Sequence, residues 1–174
     1  MVASEEGSKG VVVNGINAEL EPTVSAIDRF INEGSLAQLE NERWGIIIGE
    51  TLAQRLQVEV GDAVDLYSSS VTLNPLTPLA NFRQFELVGV FRVGSQELDA
   101  EMVVINIEAA RALFRLRGPF NGLRIRTDDV MQADNTRLQL ASELPTTVTI
   151  SSWTAQFGAI YENIVFSRSS LLSR

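Results

Sequence analysis

The chain has 174 residues, 45% hydrophobic and 21% charged, so it is long enough and apolar enough to fold around a core. Its formal net charge of −8 disfavours a nucleic-acid partner and electrostatic docking on an anionic membrane, because both require a basic face. It contains neither cysteine nor histidine, which excludes disulfides, thiolate nucleophiles, imidazole catalysis and metal sites built from those residues.

The N-terminal part begins with a short polar segment. The first nine residues predict a disordered lead-in rather than a secretory signal. The β-branched residues of Val11–Ile16 predict a strand. Pro22 suits the first turn of a helix that runs to about Phe30, and a second short helix is predicted over Ser35–Glu40.

The stretch Gly45–Ser69 has the clearest pattern of the chain. Ile46–Ile48 predicts a strand, Gly49 ends it, and Glu50 opens a short helix before a turn and a second strand. The glycine spacing matches neither a dinucleotide-binding fingerprint nor a Walker loop. We therefore interpret this stretch as a scaffold.

A segment with two prolines, 68–81, follows the scaffold. Pro75 and Pro78 disfavour a central strand and keep the residues before them extended. The segment and its flank are nevertheless rich in apolar residues, namely Val71, Leu73, Leu76, Leu79 and Phe82. Two interpretations remain open: a hairpin loop that folds back on its own core, or an extended arm that presents apolar side chains to a partner.

The second half of the chain alternates predicted strands and helices. The strands are Phe85–Phe91, Met102–Ile105, Leu123–Thr127 and Thr146–Ile150, and the helices are Ile107–Leu116, Val130–Leu144 and one beginning at Trp153. Asp128 and Asp129 can cap the second of these helices, whose Leu138 is expected to face inward. A metal or acid–base role for this Asp pair is disfavoured, because no glycine-rich loop or third carboxylate at fixed spacing accompanies it.

Together these elements predict an α+β chain in two lobes, since helices and strands alternate without a regular βαβ rhythm. The serines have no visible general base, and no cofactor fingerprint is present. The pattern alone therefore predicts a non-catalytic domain that needs no cofactor and no metal.

Several short motifs are weak singly and specific together. They are Lys9–Val13 with Gly15 and Ile16, Ile47–Gly49, Val60–Asp62, Thr77–Leu79, Gly89–Phe91, the helix Ile107–Phe114, and Ser152 and Trp153 with Tyr161. From about Lys9 to its C-terminus the chain closely resembles the periplasmic part of the LolC/LolE family of lipoprotein-releasing permeases. That family belongs to the MacB-like class of ABC permeases.

The resemblance implies a division into lobes, in which a β-rich lobe called Sabre is inserted in a discontinuous βαβ-type lobe called Porter. The implied ranges are 18–118 for the Sabre-like lobe, 10–17 with 119–152 for a partial Porter-like lobe, and 153–174 for a helix leading toward a transmembrane segment absent from this sequence. The strand–helix–strand unit that begins the family's Porter lobe has no counterpart before Lys9. Val11–Ile16 is therefore expected to lie at an unpaired sheet edge.

The resemblance also implies a function. Such permeases lie in the inner membrane of Gram-negative bacteria, where they pair with an ATPase subunit and a second permease subunit. They release lipoproteins and pass them to the periplasmic chaperone LolA, a step in outer-membrane biogenesis. This chain would then act at the periplasmic face of the inner membrane. The alternative is a structural or adaptor domain of another MacB-like permease with a different protein partner.

The arm Leu73–Phe85 occupies the position of a β-hairpin, the Hook, that grips the chaperone in C-type members of the family. The chaperone-binding residues that this implies are Pro75, Leu76, Thr77, Pro78, Leu79, Phe82, Arg83 and Gln84. The arm is shorter than the C-type loop, and the C-terminal segment resembles E-type members. C-type, E-type and hybrid subunits therefore all stay open.

Overall fold

The computed structural model describes residues 1–72 and 79–155, which are α+β as predicted. The chain divides into two compact units, Met1–Arg124 and Ile125–Arg174. The strands are β1 Val2–Ala3, β2 Ser8–Lys9, β3 Val12–Ile16, β4 Ile31–Gly34, β5 Gly45–Gly49, β6 Ala63–Thr72, β7 Leu79–Phe91 and β8 Met102–Asn106. The helices are α1 Glu21–Val24, α2 Leu36–Asn41, α3 Glu50–Leu56, α4 Gln96–Glu101, α5 Ile107–Phe114 and α6 Ala133–Glu143, with 3-10 turns at Ile27–Phe30 and Val130–Gln132.

The eight strands of the described residues belong to one mixed sheet in the first unit. Its order is β2-β1-β6-β7-β5-β8-β3, and β4 pairs with the far end of β7. Strand β7 runs antiparallel to β6 and parallel to β5, and β3 runs parallel to β8. Among the described residues β3 pairs on one side only, which confirms the predicted edge strand.

The three isoleucines of β5 show how the sequence builds two cores on one sheet. Successive side chains of a strand point to opposite faces. Ile46 and Ile48 therefore pack with α3 and α5 on one face, while Ile47 packs with α2 on the other. All three are fully buried. The first face continues under β6 and β7 and supports their hairpin.

Gly49 is required where β5 turns into α3. A Cβ at this position would collide with the backbone of Asp99 in α4. Asp99 is itself buried, and its carboxylate accepts hydrogen bonds from the backbone N–H groups of Val93 (2.8 Å) and Gly94 (2.9 Å). The glycine therefore lets α4 approach the sheet, and the aspartate fixes the loop that leads into α4.

The predicted lead-in is wrong, because residues 1–9 contribute two strands to the sheet. Val2 is completely buried in the first core and pairs with Leu66. The Ser4 hydroxyl donates to the Leu56 carbonyl at 2.8 Å, and this bond anchors the segment to the end of α3. Met1, Val2 and Ala3 are followed by a polar run, and so short an apolar segment carries no periodic signal, so the burial was not visible in the sequence.

Three other predictions also fail. The helix expected from Pro22 to Phe30 divides into α1 and a separate 3-10 turn. The stretches 123–127 and 146–150 are not strands. Alternating residues alone do not make a strand, which needs a neighbour to pair with, and neither stretch pairs with any of the described strands.

The second unit is built around α6, and none of the α6 side chains is buried. Leu138, expected to face inward, is 57% exposed. Asp129 does cap the 3-10 turn Val130–Gln132 that leads into α6, because its carboxylate accepts a hydrogen bond from the Met131 N–H at 2.9 Å. The lobe boundaries predicted from the resemblance stay predictions.

Residues 153–155 are helical, so a helix does begin at Trp153; its continuation, including Tyr161, lies outside the described residues. Its first turn is held to the start of α6. The hydroxyls of Ser152 and Thr154 each donate to the Asp134 carboxylate at 2.7 Å, and the Trp153 indole N–H donates to the Val130 carbonyl at 2.9 Å. The two hydroxyl donors lower the pKa of Asp134 below its ordinary value, because they stabilise the ionised carboxylate.

Candidate protein-binding site

The predicted arm is flanked by the antiparallel hairpin β6–β7. The pairing runs from Ala63 opposite Glu86 to Thr72 opposite Leu79, with an irregularity between Tyr67 and Val71. Residues 73–78 join Thr72 to Leu79 in sequence. The arm is therefore anchored at both ends to neighbouring strands of the sheet.

The eight predicted binding residues fall into two groups. Pro75, Leu76, Thr77 and Pro78 lie outside the described residues. Leu79 begins β7, and Phe82, Arg83 and Gln84 lie further along the same strand, with all three exposed. Only these last three can be placed as side chains, and the strand does not bring them together.

Strand alternation separates the three residues onto opposite faces of the hairpin. Arg83 shares its face with Phe85, which is almost completely buried in the first core. Phe82 and Gln84 point to the other face. We call the two the core-side face and the outer face of the hairpin.

The outer face presents a pair of aromatic rings. Phe82 lies directly opposite Tyr67 in the strand pairing, and the two rings stack with centroids 5.2 Å apart and an interplanar angle of 21°. Phe82 remains 53% exposed in this arrangement. Stacking on Tyr67 restricts the Phe82 ring while leaving apolar surface available to a partner.

The core-side face carries two guanidinium groups on one indole ring. The Arg83 guanidinium carbon lies 5.4 Å from the Trp44 ring centroid, and that of Arg43 lies 5.1 Å from it. Trp44 in turn meets Phe85 edge-on, with centroids 5.5 Å apart and planes at 83°. We call Arg43, Trp44 and Arg83 the arginine–tryptophan platform.

The platform connects to α5 through the same strand. Asn81, two residues before Arg83, accepts a hydrogen bond from the Arg115 guanidinium at 2.9 Å. Arg115 ends α5 in a left-handed conformation, with φ of 51°. Arginines from three separate segments thus converge on the core-side face of the hairpin.

Sequence reasoning missed Arg43, Trp44 and Arg115 as parts of this site. Trp44 directly precedes β5, and the parallel pairing of Gly45 with Glu86 brings it beside Phe85. That register joins residues about forty positions apart and could not be read from local pattern. An aromatic residue next to an arginine at the start of a buried strand was the one available signal.

Neither metal binding nor a membrane span has support in the described part of the chain. No group of three or more acidic side chains within 1–72 and 79–155 could hold a metal ion. No helix in those ranges is long and apolar enough to cross a bilayer. What the described site offers is exposed aromatic and cationic surface on a paired hairpin, which suits the binding of another protein.

Comparison with known proteins gives consistent relatives. No protein-family model matches the chain. It is 28% identical over 159 residues to the lipoprotein-releasing system transmembrane protein LolC of Xylella fastidiosa, which covers 91% of this chain and 38% of that protein. It is 26% identical over 167 residues to LolE of Haemophilus influenzae, covering 94% of this chain and 40% of that protein. For LolC of Neisseria meningitidis the identity is 27% over 165 residues, again covering 94% and 40%.

The chain spans about two fifths of the length of these curated relatives. Both LolC and LolE proteins are among them, at nearly equal identity. The matches therefore do not assign it to either type.

Proposed function

Since this chain belongs to the LolC/LolE family, we propose that it is the periplasmic part of an inner-membrane ABC permease that releases lipoproteins and hands them to a LolA-type chaperone. The whole permease would include an ATPase subunit and a second permease subunit. Within it, this chain would supply the protein-binding surface and no catalysis of its own.

The observation that carries the proposal is the paired hairpin beneath the predicted arm. After the irregularity that follows Tyr67, its strands pair again from Val71 opposite Ala80 to Thr72 opposite Leu79, so the arm residues 73–78 start from a paired base. A paired base lowers the conformational entropy lost when a partner binds the arm. Pro75 and Pro78 restrict the free arm further, which acts in the same direction.

The described end of the arm adds recognition groups of two kinds. Phe82 provides exposed apolar surface backed by Tyr67, and Arg83 provides a guanidinium held against Trp44. Aromatic residues and arginine are the side chains most often found at binding hot spots. Both chemistries support docking of a folded protein with apolar and polar surface.

The decisive experiment replaces residues 73–78 with Asn-Gly. Thr72 and Leu79 are directly paired, so a two-residue turn can close the hairpin without disturbing its register. We expect this variant to keep its melting temperature and to lose calorimetrically detectable binding to the cognate LolA-type chaperone. Unchanged affinity in a folded variant would refute the arm as the binding element.

A finer test changes the arm without shortening it. Replacing Pro78 and Leu79 together with alanine should weaken chaperone binding by roughly 1–3 kcal/mol, because it removes one rigid and one apolar group. Arg83→Ala should cost less, and its effect should shrink at high salt. Binding of a different permease partner, with none to the chaperone, would instead favour the adaptor function.

The proposed absence of catalysis can be tested separately. The sequence has no phosphate-cradling glycine loop, so we expect calorimetry to detect no ATP binding. Saturable binding that a competing nucleotide displaces would contradict this part of the proposal.

A further inference from the structure

A cavity of about 230 Å³ lies at the end of the sheet that carries β3 and β8, and none of its lining residues belongs to the hairpin β6–β7. We propose that this cavity binds part of one hydrocarbon chain of a lipoprotein substrate, next to the neutral amide or ester group that joins the chain to the protein. This inference rests on the proposed function, because lipoproteins are what the proposed permease would release. It adds a substrate-binding site to the protein-binding site already described.

The floor of the cavity follows from strand alternation in β3 and β8. The parallel register pairs Asn14 with Val104, and alternate residues of a strand share a face. Asn14 and Ile16 of β3 therefore lie on the same face as Met102 and Val104 of β8, and all four line the cavity. Ile16 and Val104 are buried with Ile47 in the core on that face. The floor is thus apolar except for one amide side chain.

The walls come from the 3-10 turn Ile27–Phe30 and from α4. Ile27 and Phe30 of the turn and Leu98 of α4 line the cavity. Phe30 is 39% exposed, and Ile27 and Leu98 are half-buried. Apolar side chains that a fold leaves partly exposed in a concavity become more stable when an apolar ligand covers them.

The volume of the cavity indicates which apolar group fits. An apolar cavity of about 150 Å³ binds benzene, which has six carbons, so by proportion 230 Å³ holds about nine carbons. The side chains of leucine and phenylalanine on a partner protein have fewer carbons and would leave part of the space unfilled. The side chain of tryptophan is large enough, but its indole N–H requires a hydrogen-bond acceptor when buried. A linear hydrocarbon chain fills the space without that requirement.

The polar residues of the lining indicate a neutral head group. The side chains of Arg124 and Glu21 both line the cavity and pair with each other at 2.6 Å, so their charges cancel. A carboxylate or phosphate would therefore meet no unpaired cation in this lining, and the net charge of −8 would repel it. Asn14 is half-buried, and its side chain forms no hydrogen bond with the described residues. Since an amide side chain can both donate and accept, it suits the amide or ester of an acylated protein.

The first experiment titrates the chain with N-octanoylglycinamide, a neutral acyl amide. The readout is the ¹³C-methyl resonance of Met102, which lines the cavity; Met131, which is 45% exposed and lies outside the lining, is the internal control. We expect a saturable shift for Met102 and none for Met131. From the butanoyl to the octanoyl amide, affinity should rise about fourfold per carbon, the gain for burying one methylene group. Beyond about nine carbons it should level off, because the cavity is full.

Cavity variants test where the probe binds. Leu98→Phe adds a ring to the lining, whereas Leu138→Phe makes the same change at a 57% exposed position outside it. We expect Leu98→Phe to weaken binding of the octanoyl amide about tenfold or more and Leu138→Phe less than about twofold, because only the first reduces the apolar area available to the chain. Asn14→Leu, which keeps a similar size but removes the amide, should weaken binding about 3- to 10-fold.

Two further probes separate a lipoprotein from a membrane lipid as the source of the chain. An N-octanoyl tripeptide amide should bind at least as tightly as N-octanoylglycinamide. Dioctanoylphosphatidylcholine should bind about tenfold more weakly or less, because its phosphate has no unpaired cation to meet in the lining. Equal binding of this phospholipid would overturn the assignment to a lipoprotein.

The outcomes also separate this inference from the proposed function. A Met102 resonance that does not shift up to the solubility limit of the probe overturns the inference, as does an affinity that is independent of chain length. Both measurements use the unmodified chain, so they decide even where Leu98→Phe fails to fold. If the Asn-Gly hairpin variant loses chaperone binding while no acyl amide binds, the inference fails and the proposed function stands. If that variant keeps chaperone binding while the acyl amides bind as expected, the arm proposal fails and the cavity site is supported.

Discussion

Replacing Val2 with alanine tests the N-terminal strand β1, which formed no part of the predicted fold. The Val2 side chain is completely buried in the core that supports the hairpin, beside Leu66 and Phe85. The substitution removes two methyl groups, worth about 1.6 kcal/mol of transfer free energy at about 0.8 kcal/mol per group. A cavity that cannot collapse fully adds to this, so we expect a loss of about 2–3 kcal/mol in the free energy of unfolding.

The matched control is Val12→Ala, which makes the same chemical change on the edge strand β3. Val12 is 63% exposed, so little apolar burial is lost there. The remaining cost is the lower strand propensity of alanine, below about 1 kcal/mol. The comparison therefore isolates burial from residue type.

Urea unfolding followed by Trp44 fluorescence, in a Trp153→Phe background, provides the assay. Trp44 packs against the same core as Val2, so it reports on the first unit rather than on the whole chain. We expect a lower midpoint at unchanged slope for Val2→Ala. Equal losses for Val2→Ala and Val12→Ala would show that β1 is not docked, and the reasoning would fail.

Three further predictions concern stability. Gly49→Ala should lower the free energy of unfolding, measured in urea, by roughly 3 kcal/mol or more, because the new Cβ collides with the backbone of Asp99. Gly10→Ala is the control and should change stability little, because a Cβ there meets open space. Arg124→Gln should lower the free energy of unfolding by about 1–2 kcal/mol, because it leaves the buried Glu21 carboxylate without its partner at 2.6 Å. The double variant that also carries Glu21→Gln should recover part of that loss, which a double-mutant cycle measures. Because the pKa of Asp134 is lowered, its stabilising contribution is complete above the ordinary Asp pKa and is lost as pH falls through the lowered value. Hydrogen exchange at residues 152–155 should therefore accelerate under acid in the wild type, and a flat profile would contradict the contacts.

The scaffold could be predicted because its signals are local. Ile46–Ile48 is a β-branched run bounded by glycines, and the structure confirms strand β5 between Gly45 and Gly49. The following helix and strand also lie where the pattern placed them. Each boundary depends on the residue at that boundary, so no knowledge of distant partners was needed.

The failures have the opposite cause, since they depend on partners distant in sequence. Val2 joins the main part of the sheet through β6, more than sixty residues away. The stretch 123–127 has the right alternation but pairs with none of the described strands. The family resemblance supplied the site's position on the chain, while the platform residue Trp44 depends on the register of β5 against β7.

The alternation of β7 limits how any partner can use this site. Phe82 and Arg83 are adjacent in sequence, yet they present apolar and cationic groups on opposite faces of one hairpin. A flat partner surface can cover only one of these faces, because a paired two-stranded ribbon separates them. A partner that uses both must surround the hairpin or receive it in a groove. Variants of Phe82 and of Arg43 therefore distinguish the two geometries: a groove binder loses affinity with either change, whereas a flat partner responds to only one.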